Sequence, residues 1–212
     1  MRHDNRHALH GVVRVLVLAS LTLTACPDDK EAPGSAPSRF AGVNSDQNAR
    51  AIRAFCEKSF AAKGAGSLRL PELPEKALPV ARPAVATARG WRWINLWATW
   101  CTPCVEEMPL LQRWLDSLTR DGVAVKIELW SADDDQEALA QALRERKLPG
   151  EQHWLGGNEA LSKVLEAVQA GQGAALPVHL FVDDQNQLRC LRVGSVHEAD
   201  YGAIKTLLTS GG

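Results

Sequence analysis

The sequence predicts an α/β fold, a central mixed β-sheet flanked by helices, and three stretches carry that expectation. Trp93, Ile94, Leu96 and Trp97 make a short bulky run suited to a strand buried on both faces. It leads directly into Val105, Met108, Leu111, Leu115 and Leu118, which recur at helical spacing. After a turn at Asp121-Gly122, residues 123–131 (VAVKIELWS) read as a second strand, parallel to the first because a helix separates them. Pro177 then precedes VHLFV, the polar turn DDQNQ and the return run LRCLRV, which together read as an antiparallel hairpin.

The remaining elements follow in chain order. The 212 residues, 45% hydrophobic and 23% charged, allow one globular domain plus extensions. A net charge of -1 without a basic patch argues against nucleic acid as a partner. Arg2, Arg6 and Arg14 accompany an apolar run that ends at Ala25, too short for a comfortable membrane span but right for a signal-peptide core over residues 1–25. Residues 26–46 are rich in Pro, Gly, Ser and Asp and read as a flexible tether. From Gln47 to Lys63, Ala51, Ile52, Phe55, Cys56 and Phe60 share one helical face behind a cap at Asn44 or Ser45, so Cys56 is expected to face the core. Prolines after Leu70 make the stretch up to residue 77 an extended arm laid over the domain.

Beyond the parallel pair, Gln136 to Arg146 is expected to be helical, with Asp133 to Asp135 capping its N-terminus rather than binding a metal. EQHWLGG reads as a short extended piece. Glu159 to Gln169 is a helix with Leu161, Val164, Leu165 and Val168 inward, and Glu198 to Leu208 closes the fold.

The chemistry gathers at the start of the first long helix, where Cys101 and Cys104 are separated by two residues. Unpaired backbone N–H groups and the helix dipole favour an anion there, so Cys101 is expected to ionise more easily than a free thiol. Pro103 fits the first turn, where its missing N–H costs little, and Cys104 is placed to resolve a mixed disulfide. A purely structural disulfide is the alternative, but so short a loop gives little chain-entropy stabilisation. Half of a zinc site has the same spacing, yet no second Cys-x-x-Cys or His pair follows. Trp97 follows the strand's inward pattern, and Trp100 either receives a partner or packs inward. His153, His179 and His197 are scattered, with His179 alone near the dithiol.

WATWCTPC followed by Glu107 and Pro109 resembles the TlpA/ResA family, membrane-anchored thioredoxin-like proteins of the bacterial envelope. The resemblance spans roughly Leu78 to Leu208. It implies a thioredoxin-like domain over residues 78–210 and a thiol–disulfide oxidoreductase that needs no cofactor or metal. Cys101 would be the nucleophile and Cys104 the resolving cysteine. Trp100, Thr102, Pro103, Leu176 and Pro177 would form the substrate-binding surface, Pro177 matching the family's cis proline. Glu107 matches a glutamate that the family places near its dithiol, where it would exchange protons with Cys104; the plainer reading is a helix-surface glutamate like Glu106. Asn95 stands where cytoplasmic thioredoxins carry a buried aspartate and cannot accept a proton.

The implied partners are client proteins with disulfides or thiols, of the cytochrome c or copper-site maturation kind, and a membrane thiol that donates electrons. Rival readings are a disulfide oxidase or isomerase, and a non-enzymatic copper- or peptide-binding protein. A copper chaperone of the Sco kind would carry Cys-x-x-x-Cys, one residue longer than the spacing here. Leu23-Thr24-Ala25-Cys26 resembles the bacterial lipobox, which implies a lipidated Cys26 holding the protein to a membrane on the periplasmic side; ordinary secretion with a free Cys26 is the alternative. Five cysteines less Cys26 leave four, with three possible connectivities. If Cys101 pairs with its neighbour Cys104, then Cys56 and Cys190 are left to each other or remain buried thiols. The TlpA branch can similarly link its N-terminal region to a late strand.

Overall fold

The computed structural model describes residues 39–80 and 90–210. The expected signal segment, Cys26 and most of the tether lie outside them. In chain order the elements are α1 (Arg39–Phe55), β1 (Lys58–Ser59), β2 (Leu68–Arg69), β3 (Trp91–Trp97), α2 (Thr102–Arg120) and β4 (Val125–Ser131). There follow α3 (Gln136–Glu145), β5 (Glu151–Trp154), α4 (Asn158–Ala167), β6 (Val178–Val182), β7 (Gln187–Val193) and, after a 3-10 turn at Glu198–Asp200, α5 (Tyr201–Ser210). Among the described residues the strands form one mixed sheet in the order β1-β7-β6-β3-β4-β5, with β2 also pairing β7.

β3 occupies the middle of this sheet because all but one of its seven residues are buried. It pairs in parallel with β4 and antiparallel with β6. Alternation along the strand sends Trp91, Trp93 and Trp97 to one face, where they meet Phe55 of α1, Met108 and Leu111 of α2, Leu139 of α3 and Ile204 of α5. Ile94 and Leu96 go to the other face, against Leu161 and Val164 of α4. Gly150, with φ of 64°, lets the chain enter β5 hard against the Ile127 carbonyl, where a Cβ has no room.

The N-terminal region departs from the expected pattern in a physically informative way. The helix begins at Arg39, inside the stretch read as tether; Asn44 and Ser45 are therefore interior residues and not caps. It ends at Phe55 instead of Lys63, because residues 58–59 leave it to pair with β7. Phe60 is buried, but in the cluster on the α4 face and not on a helix. The arm also does more than cover the domain. Leu68 and Arg69 pair with β7 at one edge, Leu70 and Leu73 are buried against the α4 face, and the Lys76 N–H donates to the Trp154 carbonyl (2.8 Å) at the opposite edge. Residues before 78 thus belong to the same sheet as the predicted domain. On α2 the buried stripe is Cys104, Glu107, Met108, Leu111, Trp114 and Leu118, with Trp114 taking the place expected of Leu115.

Under the arm, a buried ion network ties the two central parallel strands. Arg92 of β3 donates through Nε and Nη2 to both carboxylate oxygens of Glu128 on β4 (2.7 and 2.8 Å), and Lys126 and the Trp130 indole donate as well (3.0 and 3.1 Å). Burial alone would raise the Glu128 pKa. The hydrogen bonds and charge of Arg92, with those of Lys126 and Trp130, outweigh it and hold the carboxyl at about 2. A pKa lower in the folded than in the unfolded protein gives stability that is fully present above about 4.5 and is lost as pH falls through about 2, on the order of 3 kcal/mol. Arg92→Met should therefore lower stability markedly at pH 7 and much less near pH 2.5. Urea unfolding of both proteins at the two pH values checks this; an equal gap at both would remove the ion pair as its source.

Candidate active site

The dithiol lies where β3 hands over to α2. Trp97 and Ala98 end the strand in the core at 0% exposure, and residues 98–101 turn, with the Cys101 N–H donating to the Ala98 carbonyl (3.1 Å). Cys101 is the N-cap of α2, its sulfur accepting from the Cys104 N–H at 3.3 Å. An N–H of the helix N-terminus, which has no intrahelical partner, is thus directed at the Cys101 sulfur. Cys101 and Cys104 are joined as a disulfide, with Cα atoms 5.3 Å apart. Cys104 is fully buried and Cys101 is 5% exposed, so the first cysteine is the more accessible, by a small margin.

Around the pair the surface is open. Trp100 is 59% exposed, the only large hydrophobic residue so exposed among those described, and Thr102 and Pro103 are exposed beside it. The Leu176–Pro177 bond is cis. Leu176 packs against the cluster that contains Cys101 and Cys104, and Pro177 is buried, its carbonyl accepting from Gly194 N–H (2.9 Å).

Glu107 is not on the helix surface. One turn below Cys104, it is 4% exposed, whereas its neighbour Glu106 faces solvent. Its Oε1 accepts from Asn95 Nδ2 (2.7 Å) and its Oε2 from the Val196 backbone N–H (3.0 Å). Glu107 is among the residues lining a groove of about 470 Å³ between α2 and residues 195–198, to which Pro103 also contributes.

The turn before the dithiol is held by a residue read differently from sequence. Of the acid run, Asp135 caps α3, accepting from the N–H groups of Glu137 and Ala138 (2.9 and 3.0 Å). Asp133 is instead buried at 1% exposure and accepts from the Thr99 N–H (3.0 and 3.1 Å), the Thr99 hydroxyl (2.5 Å) and the Ser131 hydroxyl (2.7 Å). Its carboxylate pins the turn that leads into Cys101.

No protein-family model matches the chain. Among solved structures, a secreted thiol-disulfide isomerase from Corynebacterium glutamicum superposes with a TM-score of 0.54 at 15% identity, over 72% of this chain and 91% of that one. A thiol:disulfide interchange protein from Bacteroides sp. gives 0.52 at 18% identity, over 72% and 93%. The fold is thioredoxin-like. In that thioredoxin-like frame the dithiol, Glu107, the cis Leu176–Pro177 bond and exposed Trp100 fall at one end of the central strand. Sequence reasoning passed over three further residues gathered there. Asn95 reads from sequence as a missing proton acceptor, and in the structure it holds Glu107. Asp133 reads as a cap, and it instead pins the turn before Cys101. His179 has no role assigned from sequence, although a lone histidine in the otherwise apolar strand VHLFV is a visible signal.

Proposed function

We propose that this protein is a thiol–disulfide oxidoreductase of the bacterial cell envelope that exchanges disulfides with client proteins. The observation that carries the proposal is the Cys101–Cys104 pair at the N-cap of α2, in a thioredoxin-like fold, beside exposed Trp100 and the cis Leu176–Pro177 bond. In the reduced protein, the Cys101 thiolate attacks one sulfur of a client disulfide and the client's other sulfur leaves as a thiolate. Cys104 then gives its proton to Glu107 and attacks Cys101 Sγ, and the remaining client sulfur departs. Two electrons have passed from the dithiol to the client. Glu107 returns its proton through the groove beside Val196, and the Cys101–Cys104 bond seen here is the product.

The resemblance to the TlpA/ResA family supports the reducing direction. The clients would be proteins maturing a cytochrome c or copper site, and a membrane thiol would restore the dithiol. Equilibration against glutathione tests the direction: a potential near roughly -270 mV suits a reductant, whereas one near roughly -120 mV would make the protein an oxidase or isomerase instead. Among the described residues no helix is long and apolar enough to cross a membrane. The lipobox-like Leu23-Thr24-Ala25-Cys26 supports attachment through a lipid at Cys26, with Met1 to Ala25 removed as a signal peptide. Cys26→Ala should move the protein from the membrane fraction to the soluble one. Wild-type protein that fractionates as soluble with no acyl mass on Cys26 would refute the anchor.

A further inference from the structure

Below Glu107 lies a group of buried polar side chains that the exchange chemistry has not yet used. His179 of β6 is fully buried in the register position opposite Asn95 of β3. Its Nδ1 is approached by two donors, the Trp93 indole Nε1 at 3.1 Å and the Asn95 amide Nδ2 at 3.3 Å. An indole nitrogen can only donate. The Asn95 nitrogen is fixed as well, because the same atom donates to Glu107 Oε1 at 2.7 Å. Nδ1 must therefore accept, and the ring carries its proton on Nε2. Nε2 has no hydrogen-bond partner within normal geometry among the described residues, and Glu107 Oε1 lies 3.5 Å from it.

We propose that His179, locked by Trp93 and Asn95 as the Nε2–H tautomer, is a positioning residue for Glu107, aiming an N–H at Oε1 so that the carboxyl stays beneath the dithiol. The inference rests on the reading of Glu107 as the proton partner of Cys104. With Nδ1 engaged by two donors, the proton that leaves Cys104 has Glu107 as its destination and His179 holds that destination in place. The 3.5 Å separation belongs to the disulfide form; such contacts tighten when the reacting groups are engaged, and a few tenths of an ångström suffice. Among the described residues, the groove that Glu107 lines also carries Glu106, Arg113, His197 and Glu198. α2 supplies Cys104 and Glu107. β7 supplies Arg192, opposite His179 in register, whose Nη1 donates to the Phe55 carbonyl at 3.2 Å. α5 supplies Tyr201, whose ring packs on Trp114 at 5.5 Å. β4 offers Leu129 opposite Asn95.

The test uses the full chain and an aromatic disulfide reagent that releases a coloured thiol. Reduced protein should release one equivalent when Cys101 attacks and a second when Cys104 resolves the mixed disulfide, so the two steps are read apart without a client. His179→Phe should leave the first phase unchanged, slow the second about tenfold and move its pH profile as Glu107→Gln does. Tenfold is a fraction of the roughly 10² to 10⁴ that a positioned acid–base group contributes. His179→Gln, which can again place an N–H toward Oε1, should restore the second phase to within about threefold. Nitrogen NMR of the wild-type imidazole, which needs neither activity nor substitution, should show a proton on Nε2 and none on Nδ1. A proton on Nδ1 would overturn the proposal, as would a second phase that His179→Phe leaves untouched. A second phase insensitive to Glu107→Gln as well would instead sink the role of Glu107 on which it rests.

Discussion

Cys101→Ser should abolish disulfide exchange, while Cys104→Ser should leave a protein that attacks a substrate disulfide and cannot release it. The asymmetry follows from where the two sulfurs sit. Cys101 is the N-cap of α2, the less buried of the pair, with the Cys104 N–H already directed at its sulfur. A serine hydroxyl there is a poor nucleophile at neutral pH, so exchange falls to the uncatalysed background. Cys104 is fully buried and bonded to the neighbouring Cys101 sulfur. Its loss removes the second displacement and not the first, and mixed disulfides accumulate on Cys101. Non-reducing gels and mass mapping of protein recovered from cells would display these adducts. Adducts on the Cys101→Ser protein, with none on Cys104→Ser, would reverse the roles, and none on either would reduce the pair to a structural staple.

How much of this was legible in the sequence depended on how local each cause is. β3, β4 and the β6–β7 hairpin were readable because burial on both faces and polar turns leave patterns within ten residues. The dithiol was readable from its Cys-x-x-Cys spacing, and Pro177 through the resemblance to the cis proline of the TlpA/ResA family. Phe55, Cys56 and Phe60 were misleading together. Their spacing suits a helix, but Lys58 and Ser59 pair with Leu191 and Cys190, far along the chain, and that pairing overrides local preference. Asp133 looked like its neighbours in an acid run until Thr99, 34 residues earlier, proved to be its partner. His179 was visible as an exception in an apolar strand. Its use could not be read, since Trp93, Asn95 and Glu107 reach it only once β6 has paired with β3 and α2 has packed on them.

Replacing Cys56 and Cys190 together by alanine should cost roughly 4 to 5 kcal/mol of stability, against about 2 kcal/mol for the corresponding change at Cys101 and Cys104. The two cysteines are bonded in the structure, their Cα atoms 5.5 Å apart, across a sequence separation of 134. On the chain-entropy model, that long loop restrains the unfolded chain far more than the three-residue separation of the dithiol does. The bond also does something in the native state. It joins the end of α1 to β7, just where the chain leaves the helix and Lys58 and Ser59 add a two-residue strand to the sheet edge. So short an edge strand has little hold of its own. Its loss should therefore loosen residues 56–69 before the rest unfolds, and amide exchange at Phe60 and Leu70, which donate to the Arg189 and Asn186 carbonyls, should report this first. Exchange activity at Cys101 should survive, because α2 and β3 do not depend on that edge. Urea midpoints of the two double variants decide the matter: equal losses would contradict the loop-entropy account, and free thiols at Cys56 and Cys190 in protein purified without reductant would remove the bond altogether.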